Sequence, residues 1–187
     1  PQSGRYDNWF TDGLGSAIRS EIWACLAPGN PELAAKYAYE DACVDHDGNG
    51  IYAEQFLSAL ESLAFEESNL ETLIQAGLSV IPAESKLASA IRDTVTWCAE
   101  TTDFTTIRSR ILEKYGSANF TDVKMNLPFM VAALLLGKGD FGKSVCTAVN
   151  FGQDTDCTGA TVGAILGIMN PDSISAHWLA PIGRALV

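Results

Sequence analysis

Two short stretches carry acidic side chains at spacings that suit a cation. The first is Asp154-Thr155-Asp156, inside FGQDTDCTGATVGAILGIM, Phe151 to Met169. Carboxylates at i and i+2 just before a helix can converge on one point, where their repulsion is relieved by protonation or by a cation. Carboxylate and hydroxyl oxygens at such a place suit Mg²⁺ or Mn²⁺ better than zinc or copper. Taken alone, the triplet fits a helix cap equally well. The second stretch is DHDGNGIYAEQF, Asp45 to Phe56, with Asp45, Asp47 and Asn49 at alternate positions and Gly50 where a sharp turn belongs. That is close to a calcium-binding EF-hand loop.

The calcium reading fails on counting. Such a loop takes a bidentate carboxylate at its twelfth position, and counting from Asp45 that position is Phe56. Glu54 comes two residues early, a rotation of about 200° on a helix. Asp45, Asp47 and Asn49 are therefore expected to be loop and capping residues. Gly48 and Gly50 can take positive φ and permit a tight helix-to-helix connection. His46 sits among acids that favour a charged or hydrogen-bonded imidazole, and a lone histidine there reads as a surface or capping residue.

The elements that must position these residues are helical. NPELAAKYAYEDACV has Asn30 as N-cap, Pro31 at the first helical position and Glu32 in the first turn. Leu33, Tyr37, Asp41 and Val44 share one face of it. Tyr52, Phe56, Leu60 and Leu63 mark a second helix; Leu87, Ile91, Val95 and Cys98 a third. Phe104, Ile107, Ile111 and Tyr115 mark a fourth, stopped at Gly116. A further helix, DFGKSVCTAVN, leads into Gly152 and the acidic triplet. After the triplet, Ala160, Gly163, Ala164 and Gly167 form a small-residue face suited to close packing. No stretch alternates like a half-buried strand. The expectation is an all-α chain of around ten helices in one orthogonally packed domain.

Composition agrees with a folded chain. At 187 residues, with 47% hydrophobic content, it can bury roughly 70% of its unfolded surface. The net charge of −11, with no basic block, argues against nucleic acid, because no cationic stripe exists to displace counterions. The apolar run PFMVAALLLG is too short for a membrane span, and no secretory leader is expected. The five scattered cysteines form no C-x-x-C pair. They fit reduced thiols in a cytoplasmic protein, and Cys25, Cys43, Cys98 and Cys146 are expected to act as small core residues. The four tryptophans are expected to anchor cores or interfaces rather than stack bases.

QDTDCTGATVGAILG closely resembles the C-terminal signature of the ADP-ribosylglycohydrolase family, which is all-α and metal-dependent. DGLGSAIRSEIWACLAPGNPELAAKYAYEDACVDHDGNGIYAEQF resembles the central region of that family, with its Gly-x-Gly-x-x-x-Arg element at Gly13–Arg19 and a following segment that ends at His46. Residues 67 to 125 resemble it only weakly. The resemblance implies that Asp154 and Asp156 ligate a binuclear magnesium or manganese centre. The family often has Thr directly after the second Asp; here Cys157 stands there, with Thr158 next, and either would complete that half of the site. Thr11, Asp12, Gly13, Leu14, Gly15 and Ser16 match the loop that wraps the diphosphate of ADP-ribose, with Leu14 where the family often has Asn. His46 matches a histidine that approaches the nucleotide, and His177 a position near the C-terminal helix, where packing is the expected role.

The family also carries an N-terminal metal motif with consecutive aspartates, and no such stretch occurs in this sequence. The expectation is that residues 1–187 are the C-terminal portion of one such domain, with a missing N-terminal segment of the same fold as partner and little activity alone. The implied reaction is metal-dependent hydrolysis of a glycosidic bond of ADP-ribose, in a small molecule or an ADP-ribosylated protein. The alternative is a non-catalytic member that binds ADP-ribose or is structural.

Overall fold

A helix that is apolar on every side must be surrounded by others, and VKMNLPFMVAALLLG is such a helix. In the computed structural model, which describes residues 4–183, it is α7, Val123–Gly137. Met125, Leu127, Phe129, Val131 and Ala133, which point in different directions around it, are all buried. The expectation counted from Pro1, that a segment precedes it, lies outside the described residues. Among the described residues nine more α-helices accompany α7: α1 Ser20–Leu26, α2 Pro31–Ala42, α3 Asn49–Leu63, α4 Leu70–Ser79, α5 Lys86–Glu100, α6 Phe104–Tyr115, α8 Phe141–Phe151, α9 Thr155–Met169 and α10 Ala176–Leu179. Two short 3₁₀ turns, Ala17–Arg19 and Pro171–Ser173, complete the set. Among the described residues the only β-type pairing is an isolated bridge between Gly13 and Asp122. The fold is all-α.

Two helices act as pillars. α7 packs against α3, α4, α5, α6, α8 and α9, while α3 packs against α1, α2, α4, α5 and α7. Their shared core includes Phe56, Leu60, Leu73, Ile91, Ile107, Phe129 and Ile165. No described helix is long and apolar enough to cross a membrane.

The caps explain where the helices start. Asn30 accepts from the Leu33 amide at 3.2 Å, Ser85 from Ala88 at 3.1 Å, Asp103 from Thr106 at 2.8 Å and Asp140 from Lys143 at 2.7 Å. In the glycine-rich loop, Gly48 has φ 52°, and Gly50 is needed for closeness, since a Cβ there would lie 2.3 Å from the Thr11 carbonyl. Asn49 begins α3 and its side chain accepts from the Leu87 amide in the first turn of α5. Phe56, at the would-be calcium position, is fully buried in the core.

Two details differ from the sequence expectation, and a third adds to it. On α2 the buried face is Ala34, Ala35, Ala38 and Ala42, whereas Tyr37 and Val44 are exposed; small side chains let α2 lie close along α3. None of the cysteines is fully buried, and Cys25 and Cys146 are exposed, because both occupy the outer faces of their helices. Gly116 ends α6 without a left-handed turn; it is required because a Cβ would meet the Leu112 carbonyl at 2.3 Å.

Candidate metal centre and nucleotide loop

The acidic triplet springs from an anchored residue. Phe151, the last of α8, is fully buried, stacked on Phe129 of α7 at 4.9 Å and packed on Phe104 of α6 at 4.4 Å. Its carbonyl accepts a 2.8 Å hydrogen bond from Arg108 Nε of α6. The chain then turns through two left-handed residues, Gly152 at φ 82° and Gln153 at φ 64°. Glycine adopts that region freely, but for Gln153 it is a strained conformation. Asp154 follows as the residue before α9, and its backbone N–H donates to Asn126 Oδ1 of α7 at 3.3 Å.

Asp154 stands at the N-cap position, yet its carboxylate closes no capping hydrogen bond. It turns instead toward Asp156 and Cys157, and one ligand atom from each of the three lies within 4.8 Å of the others. Burial raises the Asp154 carboxyl above the ordinary range; the nearby Cys157 thiol partly offsets this, and the charge of Asp156 adds to it. A carboxyl held up by desolvation and a like charge is one whose ionised form gains from a cation. Burial first, and then Asp154, push the Cys157 thiol up to about 12, so it stays protonated at neutral pH. The donor set therefore offers two hard carboxylates and a neutral thiol, which fits a magnesium- or manganese-like ion through the carboxylates and not through the sulfur. Thr158 is fully buried and its hydroxyl donates to the Thr155 carbonyl at 3.3 Å, outside the cluster. On the same helix the small-residue face meets side chains at ordinary distance: a Cβ on Gly163 would lie 3.7 Å from Phe141, and Ala160 is exposed.

The loop from Thr11 to Ser16 is less open than a chain of glycines suggests. Leu14 is buried in the core, and Ser16 is buried with its hydroxyl donating to the Gly50 carbonyl at 2.9 Å. The Gly13 amide donates to Phe10 O at 2.8 Å and the Ser16 amide to His46 Nε2 at 3.3 Å. That leaves Gly15 exposed and Thr11 and Asp12 half-exposed. His46 is itself buried. Its Nδ1 lies 2.7 Å from Asp45 Oδ1 and its ring lies against Gly15, where a Cβ would approach to 3.2 Å. With Nε2 accepting, Nδ1 carries the proton and donates to Asp45. Arg19 secures the arrangement, donating to Asp41 at 2.6 Å, to Asp45 at 3.1 Å and to the Gly15 carbonyl at 2.9 Å. Both imidazole nitrogens are thus engaged within the protein.

The first turn of α7 touches both regions. Lys124 Nζ pairs with Asp12 at 2.5 Å and Asp122 at 3.0 Å, and the Val123 amide donates to the Asp12 carbonyl at 2.9 Å. Asn126, fully buried, donates to the carbonyls of Phe120 and Asp122 at 2.8 and 2.9 Å while accepting from Asp154. Asn126, Lys124 and Arg108 were not among the sequence candidates. The available signal was an amide inside an otherwise apolar helix, at a position where a polar group must find partners. A surface groove of about 640 Å³ lies around Phe104, Lys138 and Lys143, and its lining does not include the acidic pair.

No curated protein and no solved structure matches the chain significantly. A family model described as ADP-ribosylglycohydrolase matches residues 1–186. With that match spanning almost the whole sequence, and an all-α fold that ends a strained turn on paired aspartates, the chain belongs to the ADP-ribosylglycohydrolase family.

Proposed function

We propose that Asp154 and Asp156 are ligands of a magnesium or manganese centre serving hydrolysis of a glycosidic bond of ADP-ribose, in a small molecule or on an ADP-ribosylated protein. The observation that carries this reading is the Asp154 carboxylate, which faces Asp156 without closing a cap hydrogen bond of normal geometry. When bound, the metal would orient ribose hydroxyls and make a water more acidic. Among the described residues only Cys157 joins the two carboxylates, so water or a further protein segment completes the coordination shell. The centre would be binuclear in the complete site.

Within this chain, Asp154 and Asp156 supply negative charge at one point, and their burial difference separates them. Asp154 is almost enclosed; Asp156 is exposed. The loop residues open to a nucleotide are Thr11, Asp12 and Gly15, with Gly13, Leu14 and Ser16 holding the loop from beneath. Asp12 carries a negative charge beside the expected diphosphate position, and Lys124 neutralises it. His46 supports the loop through the Ser16 amide.

The test is release of ADP-ribose from an ADP-ribosylated substrate by the full protein with Mg²⁺ or Mn²⁺. Asp154→Asn and Asp156→Asn are each expected to cut metal-dependent turnover by orders of magnitude; unchanged turnover in both would overturn the assignment. A second reading, a non-catalytic ADP-ribose binder, is favoured by one observation: the neutral Cys157 thiol where a hard ion wants oxygen. Tight, metal-independent binding of ADP-ribose by calorimetry, without hydrolysis, would select it.

A further inference from the structure

Gln153 is a non-glycine residue in the left-handed region, next to a left-handed Gly152, directly before the first proposed ligand. Such a conformation is strained and persists only where surrounding contacts impose it. Two side chains from other helices grip the turn at its ends. Arg108 of α6 holds the Phe151 carbonyl on the entry side, with its guanidinium close to Gly152. Asn126 of α7 holds the Asp154 amide on the exit side. The grip on the exit side is rigid, because the Asn126 amide is fully buried and its NH₂ group is fixed by the Phe120 and Asp122 carbonyls. On the entry side Phe151 is immobilised between Phe104 and Phe129.

We propose that Asn126 and Arg108 are positioning residues that clamp the strained Gly152–Gln153 turn and so hold the Asp154 and Asp156 carboxylates together for a divalent cation. The clamp sets the ligand geometry before the ion arrives, lowering the cost of bringing two like charges together. The proposal rests on the reading of Asp154 and Asp156 as metal ligands. It deepens that reading by naming residues that touch neither metal nor substrate.

The experiment is Mn²⁺ titration of the protein, with free ion read by electron paramagnetic resonance, alongside metal-free thermal unfolding. Loss of an outer-shell partner typically weakens a metal site about 10- to 100-fold. Asn126→Ala is expected to raise the apparent Mn²⁺ Kd by about 10-fold or more. Arg108→Met keeps the aliphatic stem but removes the bond to Phe151 O, and a several-fold rise is expected. Gln153→Gly removes the strain and is expected to raise the metal-free unfolding midpoint while weakening Mn²⁺ binding, opposite changes that a merely structural residue would not give. If Asn126→Ala does not fold, Arg108→Met and Gln153→Gly decide the matter. Folded variants that bind Mn²⁺ like the wild type, while Asp154→Asn does not, overturn the clamp and leave the metal assignment standing. A wild type that takes up no Mn²⁺ overturns both.

Discussion

The molecule holds two groups of acids in opposite circumstances. At the start of α9, Asp154 and Asp156 meet at the protein edge, one enclosed and one exposed. On α3, Glu54 and Glu61 are fully buried between helices. The Trp23 indole N–H donates to Glu54 Oε1 at 2.7 Å, and the Arg19 guanidinium lies 3.9 Å from its other oxygen. Neither oxygen of Glu61 has a hydrogen-bond partner of normal geometry, and the Ser20 hydroxyl beside it is also unmatched. Burial pushes the Glu54 carboxyl up to about 9, and Glu61 is also held well above its ordinary range, first by burial and then by the charge of Glu21. Both glutamates are thereby shifted toward the protonated form. An ion can approach the aspartates from solvent; the glutamates are closed off and keep their protons instead. Sequence position alone would not separate the two groups, since each is a pair of carboxylates on or beside a helix.

The largest effect that tests this contrast is the response to metal. An ion present at one hundred times its Kd stabilises a folded protein by about 2.7 kcal/mol, or roughly 5–10 °C in the unfolding midpoint of a chain this size. Mn²⁺ is expected to raise the wild-type midpoint by that order, and Asp154→Asn or Asp156→Asn to abolish the rise. Glu54→Gln and Glu61→Gln should retain it. Calorimetric scans with and without the ion decide, and a glutamine variant that loses the response would erase the distinction between the groups.

The next effect is pH. The folded state holds protons on Glu54 and Glu61 that the unfolded chain releases above the ordinary carboxyl value of 4.5. Their contribution to stability is thus complete below that value and is lost as pH rises toward about 9. Metal-free thermal unfolding from pH 5 to 9 is expected to give a falling midpoint in the wild type. The fall should be largely removed in the Glu54→Gln/Glu61→Gln double variant, which is predicted to be the more stable protein at the alkaline end. Parallel slopes would mean that the buried carboxyls do not hold protons.

These contrasts also mark how far the sequence could be read. The start of α2 was legible because its signal is local: Asn30 bonds an amide three residues on. The acidic triplet was legible for the same reason, as were the glycines of the 45–50 loop. The buried face of α2 is Ala34, Ala35, Ala38 and Ala42 rather than the expected Leu33, Tyr37, Asp41 and Val44, because a stripe of alanines carries a weaker hydrophobic signal than larger apolar side chains beside it. The clamp on the acidic turn was invisible, since Asn126 and Arg108 act across 28 and 43 residues of chain. His46, expected to approach a nucleotide, lies against Gly15 of the 11–16 loop. Its two nitrogens, however, are engaged by Asp45 and the Ser16 amide, a pairing set by how α2 and α3 meet.

Smaller again is the cost of disturbing the buried group by one hydrogen bond. Trp23→Phe keeps most of the ring and removes the donor to Glu54, leaving a buried carboxyl oxygen unmatched. A destabilisation of about 1–3 kcal/mol is expected, read by urea unfolding at pH 7. In a Glu54→Leu background the same substitution should cost distinctly less, because no carboxyl remains to be orphaned. Equal costs in the two backgrounds would assign the effect to packing against Tyr37, whose ring lies 6.4 Å from Trp23.

The smallest effect sharpens the exposed group instead. Cys157 brings a sulfur within reach of the two aspartates, yet its thiol stays protonated well above neutral pH. Hard cations prefer oxygen, whereas soft ones bind sulfur and displace its proton. Cys157→Thr is therefore expected to tighten Mg²⁺ and Mn²⁺ binding several-fold and to weaken Cd²⁺ binding, so the Cd²⁺ to Mn²⁺ affinity ratio moves by more than either affinity alone. Cys157→Ala separates the contributions: it should lose Cd²⁺ affinity like the threonine variant but gain little for Mn²⁺. A Cd²⁺ to Mn²⁺ ratio unchanged in both variants would place the sulfur outside the coordination shell and leave the aspartates as the sole ligands from this turn.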